Sequence, residues 1–309
     1  MPIKEISVVI PTYNERENIE NLIPNLEHVL KENGIIGEII IIDDNSQDGT
    51  ARIVEEFNKK YKNIKLVSRE KKEGVGSARK VGFSLATKEI IISMEGDNTH
   101  NPQYVPLFID KIEKGYDLVI GSRYLKESQI VNWPLKRRII SKVANFIARF
   151  FAGVRVTDVT SGYRAFRKNM YSKFTIDSDG YPFNMEFACE AHSRGFKIAE
   201  IPIIFKDREK GKTKLKVTKE LVSFITTSFR FAYTYRPVKV FGSLGILFIF
   251  FGILGGIYLT YIKIVTGIIG NRIPMLFLSV VFIISGIQII SFGLIVNIVS
   301  KLRRELIKS

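Results

Sequence analysis

The chain has 309 residues and carries 46 Lys and Arg against 31 Asp and Glu, a net charge of +15. With 46 % hydrophobic and 25 % charged residues it is too apolar for a disordered protein, and its length allows two or three structural units of about 100–200 residues. One cysteine, Cys189, excludes an internal disulfide framework and a cysteine zinc cluster, and 3 His argue against a His-rich metal site.

In chain order, Ile6–Pro11 is a short β-branched run that reads as a strand. Asn18–Lys31 has helical periodicity, with Ile19, Leu22, Ile23, Leu26 and Leu30 on one face. Glu38–Ile42 is a buried strand, Thr50–Tyr61 a helix, Ile64–Ser68 a strand and Gly76–Ala86 a helix. Glu89–Met94 is a strand, Tyr104–Lys114 a helix and Asp117–Ile120 a strand. Continuous apolar strands alternating with amphipathic helices predict an α/β fold, a mostly parallel sheet covered on both faces. In such sheets ligands bind beyond the carboxyl ends of the strands. The polar clusters sit at such ends: PTYNE at 11–15, DDNSQDGT at 43–50, EGDNT at 95–99 and GSRY at 121–124. No Gly-x-Gly-x-x-Gly follows the first strand and no Walker-type loop occurs, which disfavours a dinucleotide oxidoreductase and a P-loop NTPase.

Charges become sparse after Arg236. Val240–Ile262 and Ile273–Ser300 carry none, and each exceeds the ~20 residues that span a ~30 Å hydrocarbon core. A buried hairpin in a soluble core is the competing reading, but core helices are rarely apolar all round for so long. The short link Lys263–Arg272 predicts an antiparallel transmembrane hairpin. Arg230, Arg236 and Lys239 precede it and Lys301, Arg303, Arg304 and Lys308 follow it, so the positive-inside rule places both termini in the cytosol. The opening ISVVIP, with no basic and apolar leader before it, is expected to stay on the same side. Glu220–Arg236, rich in Phe and Tyr, is expected to be an interfacial amphipathic helix. The predicted organisation is a cytosolic α/β domain at 1–217, an interfacial helix at 218–236, a hairpin at 237–300 and a basic cytosolic tail at 301–309. The positive surplus suits anionic lipid and anionic substrates; no nucleic-acid motif accompanies it.

Asp43 and Asp44, at the end of the second strand, can accept hydrogen bonds from ribose hydroxyls or a base N–H; the same residues also make good turn chemistry. Glu95 and Asp97 flank Gly96 at the end of the fourth strand. Two carboxylates so placed can hold Mg²⁺ or Mn²⁺ and leave room for diphosphate oxygens, while Gly96 lets the backbone approach a ligand.

The ordered set PTYNE, DDNSQDGT, GVGSARKVGF, an acid-x-acid after a strand, GSRY and DVTSGYRAF resembles glycosyltransferase family 2 with its GT-A fold. GSRYLKES, NWPLKRRIISKVAN and EIPIIFKDREKGKTKLK make it similar to the polyprenyl-phosphate glycosyltransferase branch, the dolichol-phosphate mannose synthases among them. The resemblance covers roughly residues 3–220. It implies that Pro11, Tyr13, Glu15, Asp43, Asp44, Glu95, Gly96 and Asp97 bind the sugar nucleotide, and that Glu95, Asp97 and Thr99 hold the metal. It implies acceptor-phosphate contacts by Arg123, Arg137, Ser141, Arg208 and Lys214, with Asp97, Arg123 and Arg208 as the catalytic group. The sequence departs from the usual family pattern with Glu95 in place of the first Asp and Thr99 in place of Gln or Ser.

The implied reaction is inverting transfer of mannose from GDP-mannose to a dolichyl or polyprenyl phosphate. UDP-glucose is the alternative donor, and a non-catalytic sugar-nucleotide-binding protein the non-enzymatic alternative. A processive polysaccharide synthase would need more spans than two. An apolar face on Ser141–Ala152, formed by Val143, Ile147, Phe150 and Phe151, is expected to rest at the membrane. Gly121–Trp133 is expected to be a mobile loop over the site. Gly252, Gly255 and Gly256 are expected to offer a close-approach face to a second copy.

Overall fold

A computed structural model describes residues 5–207, 226–227 and 237–306. The chain divides into two compact units, Met1–Thr227 and Ser228–Ser309. The expected interfacial helix at 218–236 falls almost wholly outside the described residues, as do Arg208 and Lys214.

The first unit runs β1 (Glu5–Thr12), α1 (Arg16–Glu32), β2 (Ile36–Asp43), α2 (Thr50–Tyr61), β3 (Ile64–Ser68), α3 (Val75–Leu85), β4 (Ile90–Ser93), α4 (Val105–Glu113) and β5 (Leu118–Ser122). It continues with β6 (Gln129–Val131), α5 (Leu135–Ala152), β7 (Arg164–Arg167), α6 (Lys168–Tyr171), α7 (Phe183–Ser193), β8 (Ile198–Pro202) and β9 (Ile204–Lys206). The first five predicted strands and four helices are present, with α2 and β3 at their predicted bounds and the other ends moved by one or two residues.

The main sheet has the order β3-β2-β1-β4-β7-β5-β8 and is parallel except for β7. Ile39–Ile42 of β2 and Ile90–Ile92 of β4 are buried, as continuous apolar strands between two helix layers must be. On α1 the predicted face of Ile19, Leu22, Ile23, Leu26 and Leu30 packs into the core. From β1 the chain moves outward to β2 and β3, then returns to place β4 on the other side of β1. This reversal opens a crevice between the carboxyl ends of β1 and β4, where α/β sheets bind ligands. PTYNE and EGDNT lie on either side of it.

Two features correct the expectations. The RAF of TSGYRAF forms most of β7, which inserts antiparallel between β4 and β5 and pairs Arg164 with Ser93. Gly121–Trp133 is not an unpaired loop. Gln129–Val131 pairs in parallel with Ile204–Lys206, and the Ser128 hydroxyl donates to the Ser122 carbonyl at 2.6 Å.

The second unit is a helical hairpin of α8 (Pro237–Thr266) and α9 (Ile273–Leu306). Both helices are long and apolar enough to cross a membrane. Glycines set their spacing. A Cβ at Gly245 would lie 2.5 Å from the Gly286 carbonyl oxygen, and one at Gly286 would lie 2.6 Å from that of Gly245. Gly252 and Gly255, expected to face a second copy, pack on Ser279 of the same chain; a side chain at Gly256 would meet nothing within 4 Å. Gly286→Leu is therefore expected to separate the helices, at roughly 1–3 kcal/mol. It should lower the hairpin melting temperature in detergent, read by circular dichroism, while Gly256→Leu leaves it unchanged.

Candidate active site

Three loops leave the carboxyl ends of β1, β2 and β4, and each turns through an asparagine with positive φ: Asn14 (52°), Asn45 (61°) and Asn98 (62°). Asparagine tolerates this left-handed region better than other residues with side chains. The loops brace one another. Asn14 donates its backbone N–H to the Ser46 hydroxyl at 2.7 Å, and the Asn98 side chain donates to the Asn18 carbonyl at 3.1 Å. Asn18 in turn donates to Glu15 at 2.6 Å.

These loops form one cleft. Of the sequence-predicted donor residues, Pro11, Tyr13, Glu15, Asp44, Glu95, Gly96 and Asp97 line it. Gly96 packs tightly there, since a Cβ would sit 3.0 Å from Thr12 Cγ2 and 3.3 Å from the Pro11 carbonyl. Asp43 lies behind the wall, where it accepts from the Thr12 hydroxyl and the Ser46 backbone N–H, each at 2.8 Å. Asp44 lines the cleft but is committed to the protein: it pairs with Arg69 and accepts from the Gly74 N–H at 3.2 Å. Both aspartates therefore shape the pocket through protein contacts.

The acid-x-acid is held from several sides. Asp97 is buried and its Oδ1 accepts from the Thr99 hydroxyl at 2.6 Å and the Thr99 N–H at 3.2 Å. The Thr99 hydroxyl is thus engaged in orienting Asp97. The Glu95 N–H donates to His100 Nδ1 at 2.9 Å, and a Glu95 oxygen pairs with Arg79. His100 stacks on Tyr163 at 4.6 Å and 10°, and the Tyr163 hydroxyl donates to the Asn101 carbonyl at 2.8 Å. Burial, assisted by the charges of Arg79 and Arg123, pushes the His100 pKa down to about 3. The ring is therefore neutral and uses Nδ1 as an acceptor.

A pH effect follows. Between pH 3 and the ordinary histidine value near 6.5 the unfolded chain binds a proton that the folded chain refuses, so stability falls on acidification across that window. The expected slope from this group is about 1.4 kcal/mol per pH unit. Unfolding measured from pH 7 to pH 4 should show His100→Gln losing less stability than the parent over that range.

Of the expected acceptor residues, Arg123 and Ser141 meet at one cluster and Arg137 is paired elsewhere. Arg123 donates from Nε to Asp158 Oδ2 at 2.7 Å and from Nη2 to Asp158 Oδ1 at 2.9 Å, with Nη2 also reaching Thr160 at 2.8 Å. Its guanidinium lies 4.9 Å from the Trp133 ring centre and 5.4 Å from that of Phe205. Burial works against the Asp158 charge, yet Arg123 holds its carboxyl below the usual carboxylate range. Burial likewise opposes the Arg123 charge, but Asp158, with smaller help from Tyr124 and Glu95, raises its pKa. Ser141 of α5 lies 3.3 Å from the Thr160 hydroxyl, and Arg137 pairs with Asp207 at 3.4 Å. Arg123, Ser141 and Thr160 are thus brought together, within electrostatic range of Glu95.

Sequence reasoning missed several residues. Lys72 lines the cleft and stands 3.7 Å over the Tyr13 ring, but its KKEG loop carries no motif. Gly180 and Tyr181 close the cleft from far along the chain. The Asp179 carbonyl accepts from the Gly76 and Ser77 N–H groups at 2.8 and 3.1 Å, which docks that loop on the start of α3. Glu200 accepts from the Thr157 N–H at 2.8 Å and the Asp158 N–H at 3.1 Å, and so supports Asp158 from behind.

The profile of Glycosyl transferase family 2 matches residues 7–175, more than half of the chain. The chain belongs to glycosyltransferase family 2. Polyprenol monophosphomannose synthase of Mycolicibacterium smegmatis is 34 % identical to this glycosyltransferase over 221 residues, 69 % of this chain and 82 % of that one. Dolichol-phosphate mannosyltransferase of Pyrococcus furiosus is 36 % identical over 214 residues, 69 % of this chain and 59 % of that one. Among solved structures, glucosyl-3-phosphoglycerate synthase of Mycobacterium tuberculosis with phosphoglyceric acid superposes with a TM-score of 0.57 at 20 % identity, covering 74 % of this chain and 80 % of that one. The same enzyme with Mn²⁺, UDP and phosphoglyceric acid gives 0.55 at 20 % identity, over 73 % and 77 %. These superpositions establish the GT-A-like fold of the glycosyltransferase.

The donor set fits a shared divalent cation. Glu95 and Asp97 both line the cleft, yet among the described residues no three His, Cys, Asp or Glu side chains converge on one point. A hard cation with about six oxygen ligands would need diphosphate oxygens and water beside these carboxylates.

Proposed function

We propose that this glycosyltransferase transfers mannose from GDP-mannose to a dolichyl or polyprenyl monophosphate, with inversion, at the cytosolic face of a membrane. The observation that carries the reading is the double character of α5. Its inner side brings Ser141 and Asn145 to the Arg123–Thr160 cluster. Its outer side exposes Leu135, Ile139, Val143, Phe146 and Phe150. The helix begins at Leu135 rather than Ser141, so this apolar stripe is longer than the sequence suggested, and the Ile147 and Phe151 side chains lie outside the described residues. Lys136, Arg138, Lys142 and Arg149 flank the stripe. An anion-binding cluster and an apolar face on one helix suit an acceptor with a phosphate head and a hydrocarbon tail. The names of the mycobacterial and archaeal relatives support the same acceptor and sugar.

The cleft would hold the sugar nucleotide, with Tyr13 and Lys72 at one side and Asp97 at the other. Mg²⁺ or Mn²⁺, held by Asp97 and bordered by Glu95, would supply Lewis acidity on the diphosphate. The acceptor phosphate is mostly a dianion at neutral pH, with a second pKa near 6, so no protein base is needed to activate it. The task of the chain is to hold that dianion beside a diphosphate. In this reading Arg137, Ser141 and Thr160 would do so, joined by Arg208 and Lys214. Because two of the three Arg123 nitrogens are committed to Asp158 and Thr160, Arg123 acts chiefly by shaping the acceptor pocket. The hairpin would anchor the enzyme, with the flanking basic residues holding both termini on the cytosolic side.

The test is a donor panel of GDP-mannose, UDP-glucose and UDP-GlcNAc against one polyprenyl phosphate, with product extracted into organic solvent. Lipid-linked mannose is the expected product. Turnover with UDP-glucose alone would move the enzyme to a glucosyl branch. Donor binding without transfer to any lipid phosphate would refute the reading.

A further inference from the structure

The glycines that open GVGSARKVGF lie against residues 179 and 180. A Cβ at Gly74 would sit 2.6 Å from the Asp179 carbonyl oxygen, and one at Gly76 would sit 2.9 Å from both that oxygen and the Gly180 oxygen. Gly74 also has a φ of 106°, a conformation that residues with side chains rarely adopt. The Gly76 and Ser77 N–H groups are among the donors that a helix start leaves without a partner in the helix; both give their hydrogen bonds to the Asp179 carbonyl. Lys80, on the next turn of α3, pairs with the Asp179 side chain at 2.9 Å. From the other side, the buried Glu186 of α7 accepts from the Asp177 N–H at 3.1 Å and the Ser178 N–H at 2.9 Å. Residues 177–181 are therefore a strap fastened to two helices, and Gly180 and Tyr181 are the part it lays along the cleft. The Tyr181 end leads to the acceptor cluster. The Tyr181 carbonyl accepts from the Asn184 N–H at 3.3 Å, the Asn184 side chain donates to the Thr160 carbonyl at 3.2 Å, and the Thr160 hydroxyl accepts from Arg123 at 2.8 Å.

We propose that Tyr181 is a specificity-determining residue that meets the hexose of the donor, and that Gly76 and Glu186 are positioning residues that fix the strap carrying it. The inference rests on the cleft being the sugar-nucleotide site. The group in transit must lie between the donor diphosphate and the acceptor, and Tyr181 is the cleft residue joined to the acceptor cluster through Asn184 alone. A phenol ring offers an apolar face to the C–H groups of a pyranose and a hydroxyl to one of its oxygens. A nucleoside diphosphate that has lost its hexose leaves that ring nothing to meet, so Tyr181 distinguishes donor from nucleotide product.

The experiment is calorimetric titration of the full chain in detergent with GDP-mannose, GDP-glucose and GDP, each with Mg²⁺ and without acceptor lipid. Tyr181→Ala is expected to weaken GDP-mannose binding about tenfold while GDP stays within about twofold of the parent. The preference between GDP-mannose and GDP-glucose, which differ only at C2 of the hexose, should change by about threefold or more in the same variant. Gly76→Ala pushes on the strap without touching the ring, and is expected to weaken GDP-mannose severalfold, with little further loss when combined with Tyr181→Ala. Should Gly76→Ala not fold, Glu186→Gln takes its place in that cycle, since the amide keeps the buried shape and withdraws one accepting oxygen from the strap. Equal losses of GDP and GDP-mannose in a folded Tyr181→Ala protein, or unchanged binding of both hexoses, would overturn the inference while leaving the cleft assignment standing. Additive losses in the cycle would overturn the positioning role. A parent that binds none of the three ligands would overturn both the inference and the sugar-nucleotide reading beneath it.

Discussion

Asp97→Asn is expected to lower sugar transfer by about three orders of magnitude while leaving the melting temperature nearly unchanged. Metal-assisted departure of a diphosphate is worth several kcal/mol of transition-state stabilisation, and each ~1.4 kcal/mol is a factor of ten in rate. The amide keeps the shape of the carboxylate and can still accept from Thr99, which lies 2.6 Å away, so the loop retains its internal bond. The measurement is the initial rate of lipid-linked sugar formation beside a thermal unfolding curve of the same preparation. A folded Asp97→Asn protein with more than a tenth of the parent rate would break the metal assignment.

Asp158→Ala is expected to be the most destabilising single change in the acceptor cluster. Asp158 is fully buried and holds Arg123 through two side-chain hydrogen bonds at 2.7 and 2.9 Å and one from the Arg123 backbone N–H at 3.2 Å. Removing one partner of a buried pair costs roughly 3–5 kcal/mol, because the remaining charge is left in a poor environment. For a domain of this size that corresponds to a fall of about 10 °C in melting temperature. The double variant Asp158→Leu with Arg123→Met removes both charges and is expected to recover much of the loss. Additive losses in that double-mutant cycle would show the pair to be uncoupled. The pair is insensitive to mild acid: the Asp158 pKa lies below the ordinary carboxylate value, so its stabilisation persists at neutral pH and is lost only as pH falls through that lowered pKa.

The elements that were legible in the sequence are those whose signal is local. β1 to β5 and α1 to α4 announce themselves by apolar runs and helical periodicity within a dozen residues. The two long apolar helices do so by length alone. β7 was not legible, because Arg164–Arg167 carries no alternation and becomes a strand only when β4 and β5 stand on either side of it. The short strand Gln129–Val131 was not legible because its partner, Ile204–Lys206, lies about 75 residues away. The donor motifs pointed to the right cleft but not to the right contacts. Asp44 reads as a free acid in DDNSQDGT, yet it is paired with Arg69. Lys72 and Tyr181 read as ordinary loop residues, yet both line the cleft.

The sequence by itself determined the chemical inventory and its order: acids after β4, cations and hydroxyls from GSRY onward, two spans at the end, and membership of one glycosyltransferase family. These depend on residue type and short-range periodicity, which survive without knowledge of the fold. Only the tertiary structure decided which charges are free to act. Arg79 and Glu95, Arg123 and Asp158, and Arg69 and Asp44 lie 16, 35 and 25 positions apart, and each pair meets because the fold brings distant segments together. Burial then makes each pairing obligatory, since an isolated charge in that crevice would be too poorly solvated to persist.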